Sequence, residues 1–315
     1  SELEQVVLAQ GITTQDQYRT ARRTGRGVIL SRAKRDAVWP VFEEYRGQLA
    51  SRKLKEVDDA YREVAEVLGA EAEKSKPLYS AIVADETQDL GPQALRLLRA
   101  LVPTGPNDLF FVGDGHQRIY SRNKAAMSRC GIDIRGRAKK LYLNYRTTDE
   151  IRRQAVALLE GCEIDDLDDG HDETKRYKSL SHGPVPTVVN VEGIEAAATH
   201  AIEFVRQWSA AQGDGGPLSF CVIASSEKSR DAMAGLMQAA GLRCIAITAQ
   251  SNHADARDVV HLATMHRAKG LEFDCVVVVT PKSYFGAPEE TETQRKLLYV
   301  ALTRAKRGAM LLKLG

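Results

Sequence analysis

Two carboxylates, Asp85 and Glu86, follow the apolar run 78–84 directly, where a strand would give way to a loop. Ligands of parallel sheets bind beyond the carboxyl ends of the strands. There Asp85 could hold a magnesium ion, and Glu86, one residue on, could accept a proton from an attacking water. A second apolar run, 109–112, ends in Gly113-Asp114, with Gln117 and Tyr120 on the turn beyond. A neutral amide such as Gln117 can bond both a phosphate oxygen and the water that attacks it. Arg146 and Arg304 each close a later apolar segment. Their planar, permanently charged donors suit the charge that builds on a transferring phosphoryl group. Taken singly, an acidic pair at a helix start or an arginine at a strand end reads as ordinary surface chemistry; two neighbouring strands delivering polar groups to one edge reads as a phosphoryl-transfer site.

The elements that must position these residues alternate along the chain. Residues 14–69 are helical in pattern, with Val38, Trp39, Val41, Phe42 and Tyr45 on one apolar face and Ala60, Tyr61, Val64 and Val67, beside Asp58, on another. Strands at 78–84 and 109–112, with a helix at 92–101 between them, and a strand at 141–143 form one α/β layer. The run 78–84 is too apolar to be an exposed strand. A second layer follows, with helices at 149–159, 195–211, 228–240 and 292–304. Its strands fall at 187–191, 220–224, 244–248, 259–263, 275–280 and 309–312. The sequence Gly-Asp-Gly-Gly-Pro at 213–217 is a turn within that layer.

At 315 residues, 43% apolar and 27% charged, the chain has the make-up of a globular protein with room for two cores. No apolar run reaches bilayer length and the polar start is no secretory signal, so a cytoplasmic protein without a membrane partner is expected. The five cysteines, Cys130, Cys162, Cys221, Cys244 and Cys275, include no Cys-x-x-Cys pair, which argues against zinc or a disulfide framework. A net charge of +2 says little, but 19–35 and 118–140 are rich in Arg and Lys, and 163–173 is an acidic run that reads as a surface loop.

Five ordered motifs resemble those of the UvrD/Rep-type superfamily 1 DNA helicases: Asp85-Glu-Thr-Gln-Asp89, Gly113-Asp-Gly-His-Gln-Arg-Ile-Tyr120, Asn144-Tyr-Arg146, Thr264-Met-His-Arg-Ala-Lys-Gly-Leu-Glu-Phe273 and Leu298-Tyr-Val-Ala-Leu-Thr-Arg-Ala305. The stretch Val38-Trp-Pro-Val-Phe-Glu-Glu-Tyr45 resembles the helical insertion that precedes the second motif in that family. The resemblance implies an α/β fold of two RecA-like parallel-sheet layers, the first incomplete, preceded by a helical segment. Residues 1–77 would be that segment, akin to the family's 1B insertion. Residues 78–140 would be the carboxyl-terminal part of the first RecA-like domain, and 141–315 the second, without a large 2B insertion, since only 249–258 separates the strands where relatives insert it. It further implies ATP and Mg2+ as cofactors and single-stranded DNA as partner. Asp85 would position magnesium and Glu86 would activate water. Gln117, Arg146 and Arg304 would contact the terminal phosphate, Tyr145 would stack on adenine, Glu272 would bond the ribose and Gly270 would shape the same nucleotide-binding loop. Thr264 and His266 would couple the nucleotide to the DNA. Tyr120 and Arg122 would stack on its bases, Arg122 standing in a stretch where the family usually carries a tryptophan.

One expected part is missing. No Gly-Lys dipeptide occurs in the chain, so the loop that cradles phosphates and ends in Gly-Lys-Ser/Thr is not among these residues. The reading that follows is of the carboxyl-terminal portion of an ATP-dependent translocase or helicase, starting after that loop and inactive by itself. Two other readings stand beside it: a non-catalytic DNA-binding or scaffolding subunit working with repair or restriction proteins, and the motor part of an ATP-dependent nuclease.

Overall fold

The computed structural model describes residues 1–23, 30–71, 78–119, 127–162, 177–212, 216–248 and 259–315. The chain divides between Ala138 and Lys139 into two compact units.

The first unit opens on a π-helical turn, Leu3–Leu8, and helices α1 (Gln15–Thr20), α2 (Arg32–Ser51) and α3 (Val57–Glu71). Thr14 starts α1 with a reciprocal cap, its hydroxyl accepting from the Gln17 N–H while the Gln17 side chain accepts from the Thr14 N–H. Val6, Val7, Ile12, Tyr18, Trp39 and Phe42 form one small core. Within it Tyr18 packs edge-on to Phe42, their ring centres 5.5 Å apart. Only part of the expected helical apolar surface is used. Val41, Tyr61, Val64 and Val67 are exposed, because α3 turns its Asp59 and Arg62 side inward, where Arg46 meets Asp59 at 2.8 Å.

Strand β1 (Ile82–Ala84), helix α4 (Pro92–Ala100) and strand β2 (Leu109–Phe111) complete the described core of this unit. Pro92 opens α4, where a missing N–H costs nothing. The strands pair in parallel, Ile82 with Leu109, Val83 with Phe110 and Ala84 with Phe111. They are shorter than the apolar runs in the sequence. The expectation that the first is too apolar to be exposed is corrected: Val83 is 76% and Phe110 62% exposed. Side chains alternate along a strand. Leu109 and Phe111 therefore pack with Leu90, Leu95, Met127, Cys130 and Ile132, while the registered pair Val83 and Phe110 takes the other face, which no described element of this unit covers.

The second unit comprises β3 (Leu143–Asn144), α5 (Asp149–Leu158), β4 (Lys178–Ser179), β5 (Thr187–Val191), α6 (Ile194–Ala211), β6 (Phe220–Ala224), α7 (Glu227–Ala239), β7 (Cys244–Ala246), β8 (Val260–Thr264), α8 (Met265–Ala268), β9 (Phe273–Pro281), α9 (Pro288–Leu302) and β10 (Ala305–Leu314). Six strands form one parallel sheet in the order β5-β10-β9-β6-β8-β7. Every residue of β6 is buried, as expected of a parallel sheet covered on both faces. On one face Val222, Leu262, Val277, Val279 and Leu312 pack against Ala201 and Phe204 of α6 and Met233 and Met237 of α7. The opposite face, with Ile223, Ala263, Val276, Val278 and Leu311 all buried, is covered by α8 and α9, and α9 in turn packs on α5. Thr148 caps α5 and Ser226 caps α7.

The strands at 187–191 and 220–224 stand where the sequence places them. The last helix begins four residues early and the last strand four residues early. Most of the expected turn at 213–217, and all of the short connection at 249–258 and of the acidic run 163–173, lie outside the described residues. Cys130, Cys221 and Cys275 are buried, and burial pushes the Cys275 thiol up to about 12.

Candidate active site

In the first unit the carboxyl ends of β1 and β2 lie side by side, Ala84 opposite Phe111, and the polar residues beyond them form one hydrogen-bonded edge. Glu86 adopts a left-handed backbone, φ 53°, and its N–H donates to Asp85 Oδ1 at 2.8 Å. Both carboxylates are exposed. Behind them Gln88 is fully buried. Its amide nitrogen donates to Glu86 Oε2, and its amide oxygen accepts from the Asp114 N–H at 3.0 Å. One buried side chain thus ties the end of β1 to the end of β2. Thr87 adds a second tie, its N–H and hydroxyl donating to the Val112 carbonyl at 3.0 and 2.9 Å.

Gly113 sits inside this seam. A Cβ there would lie 2.5 Å from Thr87 Oγ1 and 2.8 Å from Gln88 Oε1. Both atoms are fixed by the bonds just described, so the clash has no inexpensive escape. Gly113→Ala is therefore expected to destabilise the first unit by about 1–3 kcal/mol, as overpacked sites do. Urea denaturation of the variant beside the unsubstituted chain would measure it, and an unchanged midpoint would show that the seam yields.

Asp114 organises the far side of the edge. Its Oδ1 accepts from the His116 N–H and contacts His116 Nδ1, both at 3.0 Å, and Oδ2 accepts from Gln117 Nε2 at 2.9 Å. Burial pushes the Asp114 carboxyl up, yet the bonds from His116 and Gln117 outweigh it and hold the group below the usual carboxylate range. The Gln117 amide nitrogen spends one of its two hydrogens on Asp114.

Among the described residues, no group of three or more His, Cys, Asp and Glu forms a metal cage. A single exposed carboxylate nevertheless fits magnesium, which keeps several waters and takes other ligands from bound phosphates. Asp85 offers such a carboxylate.

The second unit holds its own cluster at the amino ends of β9 and β10. Asn144 Oδ1 accepts from the N–H groups of Arg146 and Thr147 at 2.8 and 3.2 Å, a side-chain-closed turn. On this turn Tyr145 is 74% exposed, a ring open to stacking. Arg146 Nε lies 2.6 Å from Glu272 Oε1, and Lys306 Nζ lies 3.0 Å from Glu272 Oε2. Burial pushes the Glu272 carboxyl up, but the Lys306 bond and the charges of Arg146, Lys306 and Arg304 prevail and hold it below its ordinary value.

Arg304 is placed differently from the sequence expectation. It is 1% exposed, and its guanidinium is spent inside the fold. Nε donates to the Val300 carbonyl at 2.9 Å, Nη1 to the Leu271 carbonyl at 3.4 Å and Nη2 to Thr303 Oγ1 at 3.3 Å. In this arrangement it fixes the loop before β9 and the end of α9, and it presents no face to a ligand. Gly270 has φ 79° with open space around a would-be Cβ, so backbone conformation rather than close approach demands the glycine.

Thr264 ends β8 and leads into α8, which places it with exposed His266 at the carboxyl edge of the sheet, away from Glu272. Partial desolvation of the His266 ring and the neighbouring Lys269 ammonium keep its pKa below the usual imidazole value. Tyr120 and Arg122 lie outside the described residues. Gln88, Asn144 and Lys306 join the site although the motifs assign them no role. The first two stand inside quoted motifs, whereas a lysine two residues after Arg304 carries no signal until strand register sets it beside Glu272.

Residues 12–130 match the UvrD/REP helicase N-terminal domain, and residues 260–312 match the UvrD-like helicase C-terminal domain. Among solved structures, the C-terminal domain of a possible DNA helicase from Lactobacillus plantarum WCFS1 is similar at 22% identity, over 55% of this chain and 88% of that one, with a TM-score of 0.40. The two matched stretches fall one in each unit, in the order the motifs require, and between them take in more than half of the sequence. The chain belongs to the UvrD-type helicases.

Proposed function

We propose that this protein couples ATP hydrolysis to movement along single-stranded DNA. The observation that carries the reading is the Gln88 bridge, which sets Glu86 and the Asp114-Gln117 pair on one edge beyond two adjacent parallel strands. Glu86 would take the proton of the attacking water and Gln117 would orient that water against the terminal phosphate. Asp85 would hold magnesium, which when bound spreads the charge of the phosphates. In the second unit Arg146 would meet the terminal phosphate, Tyr145 the adenine and Glu272 the ribose. Thr264 and His266, at the other edge of that sheet, would face the DNA, whose bases Tyr120 and Arg122 would grip by stacking. Among the described residues no helix is long and apolar enough to cross a membrane, and the reading needs none.

Magnesium-dependent ATP hydrolysis that rises on addition of single-stranded DNA is the expected activity of the protein expressed from its intact gene. Hydrolysis indifferent to DNA, or none, would sink the reading. The 315 residues contain no Gly-Lys dipeptide to close a phosphate-cradling loop, so this chain purified alone is expected to turn over ATP at background. Robust DNA-stimulated turnover by it would reject that expectation and leave the motor reading standing.

A further inference from the structure

Glu272 is held twice, and the two cations that hold it are anchored differently. Arg146 stands on the irregular turn after β3 and reaches Oε1 through Nε at 2.6 Å. Lys306 stands at the amino end of β10, the strand between β5 and β9, and reaches Oε2 at 3.0 Å. Ala305 is registered with Phe273 across β10 and β9, so Lys306 and Glu272 flank a paired position. Lys306 falls in the irregular step between the Ala305 and Gly308 pairings, so its contact with Glu272 is made from the strand and not from the loop that carries Arg146. The neighbouring carboxylate, Asp274, feels the charge of the lysine but is bonded elsewhere. Asp274 Oδ2 accepts from the Ser219 N–H and hydroxyl at 3.0 and 2.8 Å, and its Oδ1 pairs with Arg307 at 3.3 Å.

We propose that Lys306 is a positioning residue that keeps Glu272 aimed at the nucleotide ribose while Arg146 exchanges Glu272 for a phosphate. This rests on the nucleotide reading given above. While its Nε is bound to Glu272, Arg146 has only its Nη groups for the terminal phosphate, and the side-on pair of Nε and Nη2 is available only once Glu272 is released. When it leaves, Oε1 is released to accept from a ribose hydroxyl. A carboxylate freed of both cations would swing on a flexible side chain; one still bound through Oε2 presents Oε1 in place. The exchange also makes the arginine's arrival at phosphate and the carboxylate's availability to ribose one event, so a ligand that offers both groups gains more than the sum of the two contacts.

The test is equilibrium binding of ATP and of 2′,3′-dideoxy-ATP, which lacks the ribose hydroxyls, to the protein expressed from its intact gene. Lys306→Met is expected to weaken ATP several-fold and to leave dideoxy-ATP unchanged. Lys306→Arg should recover most of the ATP affinity, and Lys306→Met should have no further effect in a Glu272→Gln background, the signature of a residue acting through another. Equal loss for both nucleotides would make Lys306 a phosphate contact and overturn the proposal, as would no loss for ATP. If the unsubstituted protein binds neither nucleotide, the nucleotide reading falls and this inference falls with it. Lys306 is 42% exposed at its side chain, so the methionine variant should fold, and its unfolding midpoint checks that the losses are local.

Discussion

Glu86→Gln is expected to lower DNA-stimulated ATP turnover of the intact protein by roughly 10²–10⁴-fold, the usual worth of a general base. ATP binding should persist. The substitution is isosteric, and the Gln88 amide nitrogen that donates to Glu86 would still find a side-chain oxygen there, so the seam between β1 and β2 should survive. What disappears is a carboxylate able to take a proton. The backbone sharpens the test. Glu86 is one of three non-glycine residues with positive φ among those described, a conformation that costs an L-residue about 1–2 kcal/mol. Strain of that kind is retained where the surroundings over-determine it, and such places are often functional. Glu86→Gly relieves that strain but takes the acceptor from the buried Gln88 amide nitrogen, so it should gain no stability while losing turnover as fully as Glu86→Gln. Steady-state hydrolysis and thermal unfolding on both variants separate the effects. Unchanged turnover in Glu86→Gln would reject this residue as the base.

Much of this edge was legible in the sequence because the information is local. An apolar run ending in two carboxylates, and a second ending in Gly113-Asp114, are enough to predict strands that deliver polar groups to one place. The six-stranded sheet was equally open, since strands buried on both faces read as near-continuous apolar runs, and β6 is such a run. What stayed hidden depends on partners distant in sequence. Val83 and Phe110 look like core residues until their register is known; both then fall on the uncovered face. Tyr61, Val64 and Val67 follow a helical period yet lie exposed, because α3 packs on α4 and turns inward the side on which Asp59 pairs with Arg46. Lys306 acquires a partner only through the pairing of β10 with β9. Arg304 shows the opposite limit. Its motif is plain, but no local pattern says whether a guanidinium points out to a ligand or back into the fold.

For that arginine the expected result is a loss of stability. Arg304→Ala would take the donor from the Leu271 carbonyl and one partner each from the Val300 carbonyl and the Thr303 hydroxyl, which still bond to each other, and would empty the space of a fully buried side chain. A carbonyl left unpaired costs about 1–3 kcal/mol and a large-to-small change in the interior about 2–5 kcal/mol, so a total of about 3 kcal/mol or more is expected. The second unit should then melt on the order of 10 °C lower. Lysine is no substitute, since a single ammonium cannot span three acceptors that a planar fork reaches together. Arg146→Ala supplies the contrast. Arg146 is 42% exposed at its side chain and its partner Glu272 33%, and a pair so open to solvent is worth about 1 kcal/mol at most. Its removal should leave the melting temperature nearly unchanged and still abolish hydrolysis by the intact protein. If Arg304→Ala instead melts with the unsubstituted protein while losing turnover, the guanidinium does its work outside the fold. The buried arrangement would then be one state of a side chain that swings out to the phosphate.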